Sequence, residues 1–242
     1  MLRFILRCKR HWEGSGIQLL SARPTYGDTE VKPMPDPAAS PTATPREGGI
    51  MDRMRCFIAA ELPSKVIVAL GSLELQLKEG RHRFVTWVQP DNIHITLKFL
   101  GSTPVEDLES IIDALTGVSE RTQPLVLRLG ALGCFPNMQR PEVLWVSLEG
   151  EVEKLGALQR EVDLAMENLG FPRESRRFVP HLTLARIRRQ ASLADKQAFG
   201  RLVTATTFSS DLPIEVNEIS LMESQLTPAG PIYNRLAMAE LG

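Results

Sequence analysis

Apolar and polar positions alternate with two distinct periods along residues 54–242, and the changes of period mark the elements. Residues 55–62 form a short apolar run of strand type. Pro63 and Ser64 then open a helix whose apolar positions are Val66, Ile67, Leu70, Leu73 and Leu77, closed by Gly80. A second strand ends in residues 92–100. Thr103 as N-cap, Pro104 at the first position and Glu106 as a capping-box partner predict the next helix, with Leu108, Ile111, Ile112 and Leu115 on its buried face. Residues 125–129 read as another strand.

The same order then recurs. Residues 141–148 predict a strand, and Val152, Leu155, Leu158, Val162 and Leu169 line a helix ended by Gly170. Residues 177–184 predict a strand, 192–202 a helix, and 214–222 a last strand. Phe57 precedes His94 by 37 residues, and Leu144 precedes His181 by 37. Each half thus places His-x-Thr-Leu in one slot of a strand–helix–strand unit, a degenerate duplication. It predicts an α+β fold of two pseudo-symmetric lobes. Each is an antiparallel sheet with helices on its outer face, and the lobes face each other across a central cleft.

Residues 1–53 break the pattern. Six prolines between residues 23 and 46, with small and polar neighbours, offer too little apolar surface to offset ordering entropy. A disordered N-terminal extension is expected there, followed by one two-lobed domain over 54–242. The basic opening segment has too short an apolar stretch for a secretory signal. An organellar presequence is the competing reading; the preferred one is a dispensable extension upstream of Met51 or Met54.

A net charge of −1 excludes a protein that coats nucleic acid by bulk electrostatics, so any such contact must be local. Three scattered cysteines exclude a disulfide framework and fit a reducing, cytoplasmic compartment. No apolar run approaches the roughly 20 residues of a membrane span.

The chemistry lies in the paired motifs. Residues i and i+2 of a strand share a face, so His94 projects with Thr96, and His181 with Thr183. A single His-x-Thr carries almost no information. Two copies in matched slots predict two imidazoles and two hydroxyls meeting in the cleft. In-line displacement at phosphorus needs one group to take a proton from water and another to supply one to the leaving oxygen. Histidine titrates in the right range for both, and threonine hydroxyls can stabilise charge on the phosphoryl oxygens. A catalytic zinc wants three protein ligands, and no Asp, Glu or Cys shares a strand face with either histidine, so no metal or cofactor is expected.

Residues 55–63 (RCFIAAELP), 94–101 (HITLKFLG), 178–186 (FVPHLTLAR) and 230–233 (GPIY) resemble the RNA 2',3'-cyclic phosphodiesterase family of two-histidine phosphoesterases, once called 2'-5' RNA ligases. The resemblance runs from about Met54 to near the C-terminus. It implies hydrolysis of 2',3'-cyclic phosphate ends of RNA or oligonucleotides to a 2'-phosphomonoester, with His94 as proton donor and His181 as acceptor. It also implies that Arg186 contacts phosphate, although strict alternation points Arg186 away from His181. The reverse reaction, 2'-5' ligation, is the alternative activity; an RNA-end binding module without turnover and action on related cyclic nucleotides or 2'-5' oligonucleotides are further readings.

Further candidates are weaker. Phe57 and Trp145 on the matched first strands could stack on a base or fill the core. Lys98, two residues past Thr96, is placed on the same face and could reach phosphate or lie at the cleft edge. Arg140, Arg176, Arg177, Arg188 and Arg189 could form a basic rim for the RNA backbone. A monomer is expected.

Overall fold

A computed structural model describes residues 52–80, 82–228 and 230–242. The expected N-terminal extension therefore lies, up to residue 51, outside the described residues. The elements are β1 (Arg53–Ala60), α1 (Ser64–Lys78), β2 (Val85–Trp87), β3 (Ile95–Pro104), α2 (Leu108–Ser119), β4 (Leu125–Phe135), β5 (Val143–Gly150), α3 (Val152–Asn168), β6 (His181–Ile187), α4 (Leu193–Ala205), β7 (Ile214–Val216), β8 (Glu218–Thr227) and β9 (Gly230–Glu240). Two antiparallel sheets result. One has the order β3-β1-β8-β9 and the other β2-β6-β5-β4-β7.

The α+β, two-sheet expectation holds, but the halves interlace. The strand expected to end at Leu100 is two strands in different sheets: β2 pairs with β6, while β3 pairs with β1. The strand expected over 214–222 also divides. β7 joins β4 and β8 joins β1, with Asn217 between them. The helices follow suit. α2 packs on β9 and α3 on β3, over the first sheet, while α4 packs on β4. Lys78 of α1 stands over the ring of Trp87 in β2, at 5.2 Å. Each sheet is thus covered by elements from both halves of the chain, and most buried apolar side chains form one large cluster, with Phe57, Ala59 and Met222 in a small second one.

Several local expectations need correction. Thr103 is no N-cap: it is buried in β3 and donates to the Gly101 carbonyl (3.3 Å), and Val105–Asp107 form a 3-10 turn before α2. Pairing along β1 carries the strand past the apparent stop signal. α4 does carry a capping box, between Ser192 and Asp195. Leu169 is exposed rather than part of the α3 face. β9, too mixed in polarity to stand out in the sequence, completes the first sheet. The equal 37-residue intervals do not mark equivalent places either. Phe57 faces the cleft, whereas Leu144 is core. Among the described residues, no helix is long and apolar enough to cross a membrane.

Candidate active site

Two strand starts present the histidines. His94 immediately precedes β3 and His181 opens β6. Each ring is fixed by the carbonyl two residues back, with His94 Nδ1 2.8 Å from Asn92 O and His181 Nδ1 2.7 Å from Val179 O. A carbonyl only accepts, so Nδ1 carries hydrogen in both rings and Nε2 is left for chemistry. Asn92 is itself anchored, its side-chain amide donating to Pro231 O of β9 at 2.9 Å.

Each imidazole also leans on a pair of aromatics. His94 packs on Phe57 (4.8 Å between ring centres) and edge-on to Tyr233 (5.3 Å). His181 meets Phe135 (5.1 Å) and Trp145 (6.4 Å). Gly133 makes room for the indole, since a Cβ there would stand 2.1 Å from the Trp145 ring. Thr96 and Thr183 are half-buried beside their histidines, and among the described residues neither hydroxyl has a hydrogen-bond partner.

Matched bulges follow both threonines. Along β1, Ala59 pairs with Thr96 but Ile58 with Lys98, leaving Leu97 as an extra residue. Along β5, Trp145 pairs with Thr183 but Leu144 with Ala185, leaving Leu184 extra. A bulge places two residues opposite one and resets the alternation. Burial follows the reset: Leu184 and Ala185 are both buried, Arg186 is exposed and Ile187 is buried. Arg186 therefore shares the face of His181 and Thr183, which strict alternation denied it. The Leu184 carbonyl accepts from Val88 N (2.8 Å).

The same reset removes Lys98 from the cleft. It is buried, ion-paired with Asp163 of α3, and donates to Pro172 O at 2.8 Å. Burial alone would raise the Asp163 carboxyl. The hydrogen bond from Lys98 and that from the Glu174 amide outweigh it and hold the group below the usual range. Phe57 is also not an open platform: it is 3% exposed, the floor beneath His94 and Tyr233. Trp145 is half-buried as a wall of the site. Arg140, Arg176, Arg177, Arg188 and Arg189 are all exposed.

Burial holds the pKa of His94 below its ordinary value. The Asn92 carbonyl and the Glu61 carboxylate pull it up, and charge on His181 pushes it further down. That last influence places the two imidazoles in one electrostatic site. Glu61 is held in turn by Ser220 (2.9 Å) and Arg235 (2.9 Å). Burial raises the Tyr233 phenol, against opposing pulls from Arg186 and Arg55. Arg186, on one sheet, and Tyr233, on the other, therefore sense each other across the cleft. Among the described residues, no three His, Cys, Asp or Glu side chains converge to hold a metal.

Tyr233, Phe135, Glu61, Asn92 and Phe99 were not singled out from sequence as parts of the site. Glu61, Phe99 and Tyr233 lie within the family-like segments 55–63, 94–101 and 230–233, and unbroken alternation would turn Phe99 away from the histidines.

The family model described as "2'-5' RNA ligase superfamily" matches residues 71–227. A protein of Aquifex aeolicus named RNA 2',3'-cyclic phosphodiesterase is 35% identical over 160 residues, 64% of this chain and 81% of that one. One of the same name from Methanothermobacter thermautotrophicus is 32% identical over 191 residues, 78% of this chain and all of the other. The crystal structure of TT0787 from Thermus thermophilus superposes with a TM-score of 0.63 at 30% identity, covering 78% of this chain and 98% of that one. Apo LigT of E. coli shares the fold, with a TM-score of 0.62 at 21% identity over 78% of this chain and 98% of that one.

Proposed function

The chain belongs to the 2'-5' RNA ligase superfamily, and from that membership and the site we propose that it is an RNA 2',3'-cyclic phosphodiesterase that opens the cyclic ends of RNA or oligonucleotides to 2'-phosphates. The observation that carries this reading is the pair of imidazoles. Each is tethered through Nδ1 to the carbonyl two residues back, and each stands beside a threonine whose hydroxyl has no hydrogen-bond partner among the described residues.

His181 Nε2 takes a proton from water as the water oxygen attacks phosphorus. The bond to the 3' oxygen breaks, and His94 Nε2 delivers a proton to that departing oxygen. Thr96 and Thr183 donate to the non-bridging oxygens, and Arg186 offsets their growing charge. A proton donor at His94 runs against the depressed pKa of its ring. The anionic phosphate resolves the conflict, because a negative charge beside the ring favours imidazolium once substrate is bound. Cytoplasmic action as a monomer completes the reading. A reducing compartment is supported by the buried cysteines Cys56 and Cys134, free thiols that burial pushes up to about 11.

The test is turnover of a defined oligonucleotide with a 2',3'-cyclic end. His94→Ala and His181→Ala should each abolish it with thermal unfolding unchanged, and the wild-type product should be the 2'-phosphate. Substantial activity in either variant, or a 3'-phosphate product, overturns the assignment. Turnover is expected to persist in EDTA, and annealed RNA halves should yield only a small ligated fraction.

A further inference from the structure

The pseudo-twofold that matches the two histidines breaks at the fifth residue after each. After His181 that residue is Arg186, and after His94 it is Phe99. The bulges at Leu97 and Leu184 turn both onto the cleft face. Phe99 is 66% exposed, the only aromatic side chain among the exposed large hydrophobics of the described residues. It stands on β3, the edge strand of its sheet. Its cross-strand partner is Phe57, the floor of His94, with ring centres 6.2 Å apart. Aromatic packing therefore runs from His94 through the buried Phe57 ring to Phe99 at the sheet edge.

A cation accompanies it. Arg55 lies two residues before Phe57, on the same face of β1, and is exposed. It is near enough to pull on the Tyr233 phenol, and among the described residues it makes no ion pair. A mononucleotide with a cyclic end carries one phosphate, which Arg186, the histidines and the threonines already engage. Arg55 is a surplus cation, suited to a second phosphate. Phe99 lies about 10 Å along the strand from Thr96, at ~3.3 Å per residue.

We propose that Phe99 and Arg55 form a subsite for the nucleotide preceding the cyclic end, with Phe99 stacking on its base and Arg55 pairing with the phosphodiester that joins it to the terminal residue. This deepens the cyclic-phosphate reading and rests on it. It makes the substrate an RNA chain rather than a free cyclic nucleotide. Stacking tolerates any base, so the subsite reads chain, not sequence.

The experiment compares kcat/KM for adenosine 2',3'-cyclic phosphate with that for the dinucleotide ApA ending in a 2',3'-cyclic phosphate. Aromatic–base stacking corresponds to about 5- to 150-fold, so the wild-type protein should favour the dinucleotide at least about fivefold. Phe99→Ala should remove most of that preference and Phe99→Trp should keep it. Arg55→Gln should reduce it and flatten its dependence on salt. Equal wild-type constants for the two substrates overturn the proposal. So does a preference untouched by Phe99→Ala, or a loss that falls equally on both substrates, which would make Phe99 a support for Phe57. If the wild-type protein turns over neither substrate, the cyclic-phosphate reading itself has failed and this subsite falls with it.

Discussion

Arg186 and His181 stand on one face of β6 although they are five positions apart, because Leu184 takes an extra place opposite the Leu144–Trp145 step of β5. An odd separation in a regular strand would put them on opposite faces. The bulge converts a buried position into a cleft position and sets the guanidinium on the same face as the imidazole. Arg186→Ala should lower kcat/KM on cyclic-ended RNA by about 1.5–3 kcal/mol, the usual worth of a hydrogen bond to a charged group. Arg186→Lys should recover little of it, since an ammonium cannot grip two phosphoryl oxygens at once. Steady-state kinetics of both variants decide this, and a fully active alanine variant would place Arg186 outside the reaction.

The pH profile should expose the burial of His94. Its folded pKa lies below the ordinary 6.5, so the free enzyme loses the donor's proton as pH rises through a value under 6.5. The alkaline limb of kcat/KM should therefore fall below pH 6.5. That of kcat should lie higher, because bound phosphate stabilises the imidazolium. Identical limbs, both above pH 7, would contradict the assignment of His94 as donor.

Thr96→Val and Thr183→Val keep shape and remove one hydroxyl each. Each should reduce kcat by about 2–4 kcal/mol, the loss that accompanies removal of a single preorganised donor to a developing anion. KM should change much less, since the bond strengthens in the transition state. A variant that changes only KM would reassign its threonine to ground-state binding.

Lys98 and Asp163 tie β3 to α3 inside the protein. Lys98→Met leaves the buried Asp163 carboxylate with only the Glu174 amide (3.3 Å) and the exposed Arg173 (3.5 Å), and should cost up to about 3–5 kcal/mol in urea unfolding at pH 7. The folded pKa of Asp163 lies below its ordinary value of 3.8, so the pair's contribution is complete above that value and is lost as pH falls through the folded one. The deficit of Lys98→Met should accordingly narrow in acid. A deficit that grows in acid, or stays below about 1 kcal/mol at pH 7, would make the pair energetically idle.

Local features were legible where the physics is local. The helix of Val66, Leu70, Leu73 and Leu77 and the α3 positions Leu155, Leu158 and Val162 follow from 3.6-residue periodicity, because each helix buries one stripe. The two His-x-Thr-Leu repeats marked the candidate acid–base and hydroxyl groups, because side chains two apart in a strand share a face whatever the sheet around them. Only the folded chain decided which strands pair. β2 and β3 are contiguous in sequence yet join different sheets, and Asn217 divides one apolar run between two. Pairing is a property of partners distant along the chain, and no local pattern encodes it. The bulges at Leu97 and Leu184 belong to the same class. They arise from register against β1 and β5, and they alone send Lys98 into the interior and bring Phe99 and Arg186 to the cleft. The sequence by itself determined which side chains are the candidates for the chemistry; the tertiary structure determined which way they face, because facing depends on register, and register is settled between strands rather than within one.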